Sequence, residues 1–191
     1  ASRDARVSQQ FNRVSELRSD LMSRSAQLRV GIAPQTFSQR YNWSLNYTLA
    51  SVREQYRGFQ STVGNPQLIA WAPSGGESRH QITYNLFYNF FDAVRVNWFG
   101  QIRSGSPYTP SIAGDVNGDG YSNDRAFVFD PAHTADSALA AQMQQLLDTG
   151  SPIARDCLRR QLGKLSKLAS CRGPWTLSGN NAINISVNQL K

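Results

Sequence analysis

The sequence has few cysteines, few histidines and no long apolar run, and each shortage excludes a class of protein. Two Cys and two His occur in 191 residues, too few for a Cys/His metal cluster because His80 and His133 lie far from both cysteines in the sequence. No stretch approaches the run of about eighteen apolar residues that a membrane helix needs, so a helical membrane protein is excluded.

The sequence also lacks features expected at natural chain ends. It begins ASRD, without an initiator Met or the apolar core of a signal peptide, and it ends NQLK. Bacterial β-barrels usually close on a strand that ends in an aromatic residue. We therefore expect an internal fragment of a longer chain.

The net charge of +7 does not indicate nucleic-acid binding. Arg and Lys are dispersed over predicted strands and loops, and their only tight cluster lies at residues 157–167. We interpret these cations as charges of loops and of a water-facing surface near anionic lipopolysaccharide or substrate, and we expect no nucleic-acid partner.

The strongest positive signal is an alternation of apolar and polar side chains with a period of two. Ile82, Tyr84, Leu86, Tyr88 and Phe90 share one parity, and amides and hydroxyls fill most of the other. The same pattern predicts strands at 26–32, 41–52, 79–90, 93–103 and 175–189, with Phe99 as an exception.

A soluble antiparallel sheet shows the same alternation, so periodicity leaves the surrounding solvent open. The apolar parity carries aromatics near strand ends, such as Tyr41, Trp43 and Trp175, as membrane-interface girdles do, whereas the other parity is rich in Asn, Gln and Arg. These features favour an all-β fold, an antiparallel transmembrane β-barrel segment, over a soluble sandwich.

The gaps between predicted strands alternate in length. Residues 33–40 and 91–92 make short turns, whereas 53–78 and 104–174 are long, and this asymmetry is typical of barrels whose long loops are extracellular. Within the longest loop, Thr134 or Asp136 caps a predicted helix that ends at Gly150, and Pro152 opens a second helix. We expect both helices to pack the loop as a small cap.

An acidic segment precedes these helices, at residues 114–125, and reads GDVNGDGYSNDR. Side-chain oxygens at alternate positions followed by Gly match the opening of an EF-hand-type calcium loop. The bidentate Glu at position twelve is replaced by Ala126, so other residues must close the shell. The candidate Ca²⁺ ligands are Asp115, Asn117, Asp119, Tyr121 through its carbonyl, Asn123 and Asp124; the alternative is a metal-free Asn/Asp/Gly-rich turn.

The two cysteines, Cys157 and Cys171, enclose a short basic segment. We predict a disulfide between them, which implies an oxidising compartment. In the chain-entropy model, closing a loop of about fifteen residues contributes on the order of 3 kcal/mol.

Several motifs in order resemble one family. Residues 103–110 (RSGSPYTP), 115–127 (DVNGDGYSNDRAF), 157–163 (CLRRQLG) and 171–175 (CRGPW) are similar to the late barrel region of TonB-dependent outer-membrane receptors, in particular the Oar-like group with a carboxypeptidase-regulatory-like domain. The resemblance covers nearly the whole chain, and the order of the motifs is more specific than any one of them.

This resemblance implies a barrel of about twenty-two strands in the outer membrane of a Gram-negative-type bacterium. It also implies a plug domain and a TonB-contacting segment outside these residues, with 1–191 as part of the barrel wall and its loops. The parent would bind a solute at the cell surface and import it.

Four polar residues of the fourth predicted strand, Arg95, Asn97, Gln101 and Arg103, would then face the lumen. They either select the solute or pack against the plug. The alternative function is a calcium-stabilised adhesion or protein-export barrel without solute uptake. We expect no enzyme, because neither His80 nor His133 lies beside a nucleophile motif.

Overall fold

The computed structural model describes residues 10, 17–36, 38, 40–57, 68–90, 93–116 and 122–185. In chain order its elements are β1 (Ser23–Ile32), β2 (Tyr41–Arg57), β3 (Ile69–Pro73), β4 (His80–Phe90), β5 (Val94–Arg103), β6 (Pro107–Tyr108), β7 (Phe127–Val128), α1 (Ser137–Thr149), α2 (Pro152–Arg159), β8 (Lys164–Leu165), β9 (Cys171–Arg172) and β10 (Thr176–Ile185). Most of this regular structure is antiparallel β-sheet, which confirms the all-β prediction at that level.

The main sheet has the strand order β1-β2-β4-β5-β10, with β3 paired to β2. Its register is continuous from strand to strand: Trp43 lies opposite Leu86, and Leu86 lies opposite Trp98. Directly opposed residues of an antiparallel pair point to the same side. The apolar side chains of neighbouring strands therefore lie on one side of the sheet and most of the polar side chains on the other.

One part of the sheet lies where the sequence predicts a loop. The first residues of the predicted loop at 53–78 belong to β2, because this strand continues to Arg57. It also contains β3, which pairs with β2 from Arg53↔Pro73 to Arg57↔Ile69. Pro73 is compatible with β3 because it lies at the end of the strand, where a missing N–H costs little.

The described residues form two compact units. One, within 25–51, 76–106 and 174–185, contains β4, β5, β10 and most of the main sheet. The other, within 17–24, 52–75 and 107–173, contains β3, both helices and two small strand pairs, β6–β9 and β7–β8.

The two helices begin where side-chain caps satisfy their first N–H groups. Asp136 accepts hydrogen bonds from the N–H groups of Ala138 and Leu139 at 2.9 and 3.1 Å, so Asp136 and not Thr134 caps α1. Ser151 caps α2, which has Pro152 in its first turn. Neither helix, nor any other helical segment in the described ranges, has the length and apolarity to cross a membrane.

Candidate functional site

The apolar face of the main sheet carries many exposed side chains in the part of the chain that the structure describes. In β10, Leu177 and Ile183 are each 69% exposed, and Trp98 in β5 is 48% exposed. The rows that cross the sheet on this side are Tyr47–Ile82–Ile102–Leu177, Leu45–Tyr84–Gly100–Gly179, Trp43–Leu86–Trp98–Asn181, Tyr41–Tyr88–Val96–Ile183 and Phe90–Val94–Ile185. A contiguous exposed apolar surface of this extent is unusual for a protein in water and indicates an apolar partner phase or protein.

One group of aromatic side chains lies at the end of this face where β4 begins. The His80 ring lies between Tyr47 and Trp175, with ring centroids 6.2 and 5.9 Å apart. His80 Nδ1 and the Tyr47 hydroxyl share a hydrogen bond of 2.8 Å. The trio lies where β4 begins and β5 ends, so it marks the strand ends from which the two long connections leave.

The opposite end of the face carries a second aromatic group. The rings of Tyr88 and Phe90 lie 4.1 Å apart, and Tyr41 lies opposite Tyr88. The strand length from His80 to Phe90 corresponds to roughly 34 Å at about 3.4 Å per residue. A strand tilt of about 35–45° reduces this to a height of roughly 25 Å, the height of the apolar band on membrane barrels.

The polar face contains all four residues that the sequence singled out on β5. Arg95, Asn97, Gln101 and Arg103 alternate along the strand and share one side. The side-chain carbonyl of Gln101 accepts from Arg103 Nε at 3.1 Å and from Gln81 Nε2 at 3.4 Å. The opposed residues on neighbouring strands are Gln81, Thr83, Phe87, Asn89, Thr176, Ser178, Ala182 and Asn184.

The acidic loop is closed at its base by backbone and side-chain hydrogen bonds. The N–H of Ala126 donates to the Pro110 carbonyl at 2.9 Å, and the N–H of Ile112 donates to the Asp124 carbonyl at 2.8 Å. The carboxylate of Asp124, which is fully buried, accepts from the N–H of Val116. The two ends of the loop are therefore held side by side.

Half of the candidate calcium ligands can be placed. Asp115 is exposed, Asn123 is half-buried, and the Asp124 carboxylate already binds a backbone N–H one residue beyond Asp115. Asn117, Asp119 and Tyr121 lie outside the described residues. Within the described ranges, no group of three or more His, Cys, Asp or Glu side chains converges as a metal site, and carboxylate and amide oxygens from both ends of this loop fit the hard-oxygen preference of Ca²⁺.

The loop base also contains a half-buried cation that sequence reasoning did not single out. Arg125, next to Asp124, donates from Nη1 to the Ser166 carbonyl at 3.0 Å. Burial lowers the pKa of its guanidinium from the ordinary value. Ser166 is fully buried and donates its hydroxyl to the Pro110 carbonyl at 2.7 Å, so the segment after β8 supports the loop base.

The predicted disulfide is confirmed. Cys157 and Cys171 are bonded, with Cα atoms 5.5 Å apart, and each is 1% exposed. The buried Gln161 donates from Nε2 to the Cys157 carbonyl at 3.3 Å and lies 3.3 and 3.6 Å from the two sulfurs. Its position four residues after Cys157 was the only signal in the sequence that could have identified it.

Comparison with known proteins identifies neither a family nor a function for these residues. No protein-family model matches the chain, and searches of curated proteins and of solved structures likewise give no match.

Proposed function

We propose that this chain is a wall segment, with extracellular loops, of a TonB-dependent receptor in the outer membrane of a Gram-negative-type bacterium. The observation that carries the proposal is the pair of chemically opposite faces that the register builds across four strands. On one side the exposed Trp43 and Trp98 lie in one row, with the half-buried Leu86 between them. On the other side lie amides, hydroxyls and guanidinium groups. A barrel wall between lipid and a water-filled lumen accommodates both faces, whereas a soluble sheet would have to cover the first.

The lengths of the connections support the same function. The connections from β1 to β2 and from β4 to β5 are short, and those from β2 to β4 and from β5 to β10 are long. Because the strands are antiparallel, both long connections leave at the strand ends near His80 and Arg103. Outer-membrane barrels have short periplasmic turns and long extracellular loops, so we assign this end to the cell surface.

In this proposal the parent receptor binds a solute at the cell surface and imports it past a plug domain. Arg95, Asn97, Gln101 and Arg103 face the lumen, and the acidic loop binds Ca²⁺, which stiffens the longest connection. A plug-forming segment and a TonB-contacting segment in the parent gene are required for uptake. A parent gene without them would favour the adhesion or protein-export barrel.

The test of membrane placement uses two adjacent residues on opposite faces. Nitroxide spin labels are attached to Leu86→Cys and Asn85→Cys in the full-length protein, reconstituted into lipid vesicles. The disulfide-bonded Cys157 and Cys171 do not react with the label. We expect the label at 86 to be accessible to dissolved oxygen and shielded from a water-soluble nickel complex, and the label at 85 to show the reverse; equal accessibility to the nickel complex at both positions would contradict the proposal.

A further inference from the structure

The last residues of β2 carry arginines on the side of the strand that is apolar at its start. Trp43, Tyr47 and Leu49 have odd numbers, and so have Arg53 and Arg57 further along the strand. Residues two apart in a strand point to the same side of a sheet. The side of β2 that is apolar up to Leu49 therefore becomes cationic toward Arg57.

Neighbouring strands add a tryptophan and another arginine to this side. Trp71 of β3 lies opposite Gln55 of β2. The Gln55 N–H donates to the Met22 carbonyl at 2.9 Å, so the start of β1 lies beside the end of β2. The guanidinium carbon of Arg24 lies over the Trp71 ring, 4.9 Å from its centroid. We call Arg24, Arg53 and Trp71 the arginine patch.

Trp71 orients both guanidinium groups of the patch. Its ring lies under Arg24, and its carbonyl accepts a hydrogen bond from Arg53 Nη2 at 3.4 Å. Both arginines are exposed. A guanidinium has five N–H donors, of which a contact with a ring face uses none and one carbonyl uses one. Both cations therefore retain N–H groups that can donate to an anion.

The charges around the patch favour an anionic ligand. The described residues 17–24, 52–57 and 68–75 contain four arginines and two carboxylates. One carboxylate, Asp20, forms an ion pair with Arg57. The other, Glu54, has the opposite parity on β2 and so lies on the other side of the strand. Neither arrangement neutralises Arg24 or Arg53, and the patch thus presents two positive charges on one side.

The strand that carries Arg24 indicates which anion fits. Leu28, Val30 and Ile32 share the parity of Arg24 on β1 and are 59, 55 and 57% exposed. A ligand with an anionic head and apolar chains matches this order of residues along one strand. Among anionic heads, phosphate accepts paired N–H bonds from the planar fork of a guanidinium. These observations favour a phosphorylated lipid over a small anion in solution.

We propose that the arginine patch binds a phosphate group of lipid A, the membrane anchor of lipopolysaccharide. Arg24 and Arg53 donate N–H groups to the phosphate oxygens, and the acyl chains lie against the apolar residues of β1. The inference rests on the proposed function, because that function assigns the end of β2 to the cell surface. Lipid A is the phosphorylated lipid of the outer leaflet at that surface.

The test is native mass spectrometry of the full-length protein, released from detergent micelles after titration with lipid A. The probes are bisphosphoryl lipid A and the same lipid with both phosphates removed. We expect the native protein to bind the bisphosphoryl form about tenfold more tightly, and Arg24→Gln combined with Arg53→Gln to abolish that preference. Replacing both arginines by Lys keeps the charges and should preserve part of the preference.

The matched control is Arg29→Gln. Arg29 is exposed on β1 but has the opposite parity to Arg24, so its replacement should leave lipid A binding unchanged. Equal affinity of the native protein for both lipids would overturn the proposal, and this comparison needs no variant to fold. Equal losses in the Arg29 variant and the double Gln variant would also overturn it.

Two further measurements separate this ligand from its alternatives. Inorganic phosphate at the concentration of the lipid should not displace bisphosphoryl lipid A; displacement would show a site for free phosphate and overturn the lipid assignment. The spin labels at Leu86 and Asn85 report membrane placement independently. A protein that inserts with the expected faces and does not prefer the phosphorylated lipid refutes the ligand and leaves the proposed function standing.

Discussion

The side-chain carbonyl of Gln161 accepts a hydrogen bond from the backbone N–H of Lys167 at 2.8 Å. The same oxygen accepts from the Ser170 hydroxyl at 3.1 Å, while the amide nitrogen donates to the Cys157 carbonyl. One buried side chain thus ties the end of α2 to the segment that leads to Cys171. The disulfide closes this loop covalently, and Gln161 fixes the path of the chain within it.

Replacing Gln161 by Ala should therefore lower the free energy of unfolding of the loop unit by about 2–3 kcal/mol. The reason is that a buried donor or acceptor left without a partner costs about 1–3 kcal/mol, and the change removes the partner of several groups. Chemical denaturation followed by hydrogen exchange of residues 157–171 measures the effect. The matched control is Gln144→Ala, because Gln144 is exposed and donates to the equally exposed Asp148. A loss as large as that at Gln161 would contradict the role assigned to the buried amide.

Arginine placed on the apolar face should disturb folding into lipid, and the neighbouring position should tolerate it. Trp98 lies in the middle of β5 on the apolar face, and Asn97 lies beside it on the polar face. In a membrane barrel Arg at the bilayer midplane costs about 2–4 kcal/mol. We expect Trp98→Arg to show this loss in urea unfolding from lipid vesicles and Asn97→Arg to show little of it; losses of the same size in both variants would exclude lipid contact on one face only.

A methyl group on Gly179 should weaken the pairing of β10 with β5. Its Cβ would lie 2.5 Å from the Phe99 carbonyl oxygen and 2.8 Å from the Gly100 Cα, and both are backbone atoms that cannot rotate away. Overpacking of this kind costs about 1–3 kcal/mol. Faster hydrogen exchange of the β10 amides in Gly179→Ala measures the loss, and Gly75→Ala is the control, because nothing lies within 4 Å of a Cβ there. Unchanged exchange in β10 would show that the strands separate to accept the methyl group.

Removal of a carboxylate from the acidic loop should abolish calcium binding. Calorimetric titration with Ca²⁺ should give heat for the native protein and none for Asp119→Ala, because the site needs several hard anionic oxygens. Asp124→Asn keeps an oxygen that can accept from the Val116 N–H and removes the charge, so it should bind Ca²⁺ more weakly while the loop base stays closed. The exposed Asp156→Ala on α2 is the control. Equal heats for the native protein and Asp119→Ala would end the metal hypothesis.

The turn before α1 should loosen in acid. His133 Nδ1 lies 2.8 Å from the Asp130 carboxylate, and this hydrogen bond, with the Ala132 N–H, holds the pKa of Asp130 below its ordinary value. A carboxyl group with a lowered folded-state pKa stabilises the fold above its unfolded-state value, and the stabilisation is lost as the pH falls through the folded-state pKa. An NMR titration of Asp130 should give a midpoint below 3.8 that returns toward that value in His133→Ala. An unshifted midpoint in the native protein would contradict the contact.

The elements that sequence patterns predicted best are those with a local chemical signal. Asp136 and Gly150 bracket α1, and Ser151 with Pro152 begins α2, because capping depends on residues within one turn of each other. The alternation in β4 and β5 is equally local. The all-β fold class, the alternation of β4 and β5 and the helix caps could therefore be predicted from the sequence.

The parts that were missed depend on contacts between distant residues. β3 contains Pro73 and lies in a stretch rich in Gly and Pro, and only its pairing with residues 53–57 of β2 makes it a strand. The partners of Gln161 and the support of Arg125 by Ser166 likewise require knowledge of the packed loop. Phe99 is visible in the sequence as an exception to the alternation, but its neighbours Asn85 and Asn180 on the adjacent strands follow only from the register.

The continuous register has a consequence for how related genes can vary. Loss of a single codon within β5 would shift every later residue of that strand by one position, and Arg103 would then exchange faces with its apolar neighbour. Length changes between residues 104 and 175 leave the pairing of β5 with β10 intact. Insertions and deletions should thus accumulate in that connection during divergence. The lengths of β4, β5 and β10 should stay constant, because their side chains must keep alternating between the two faces.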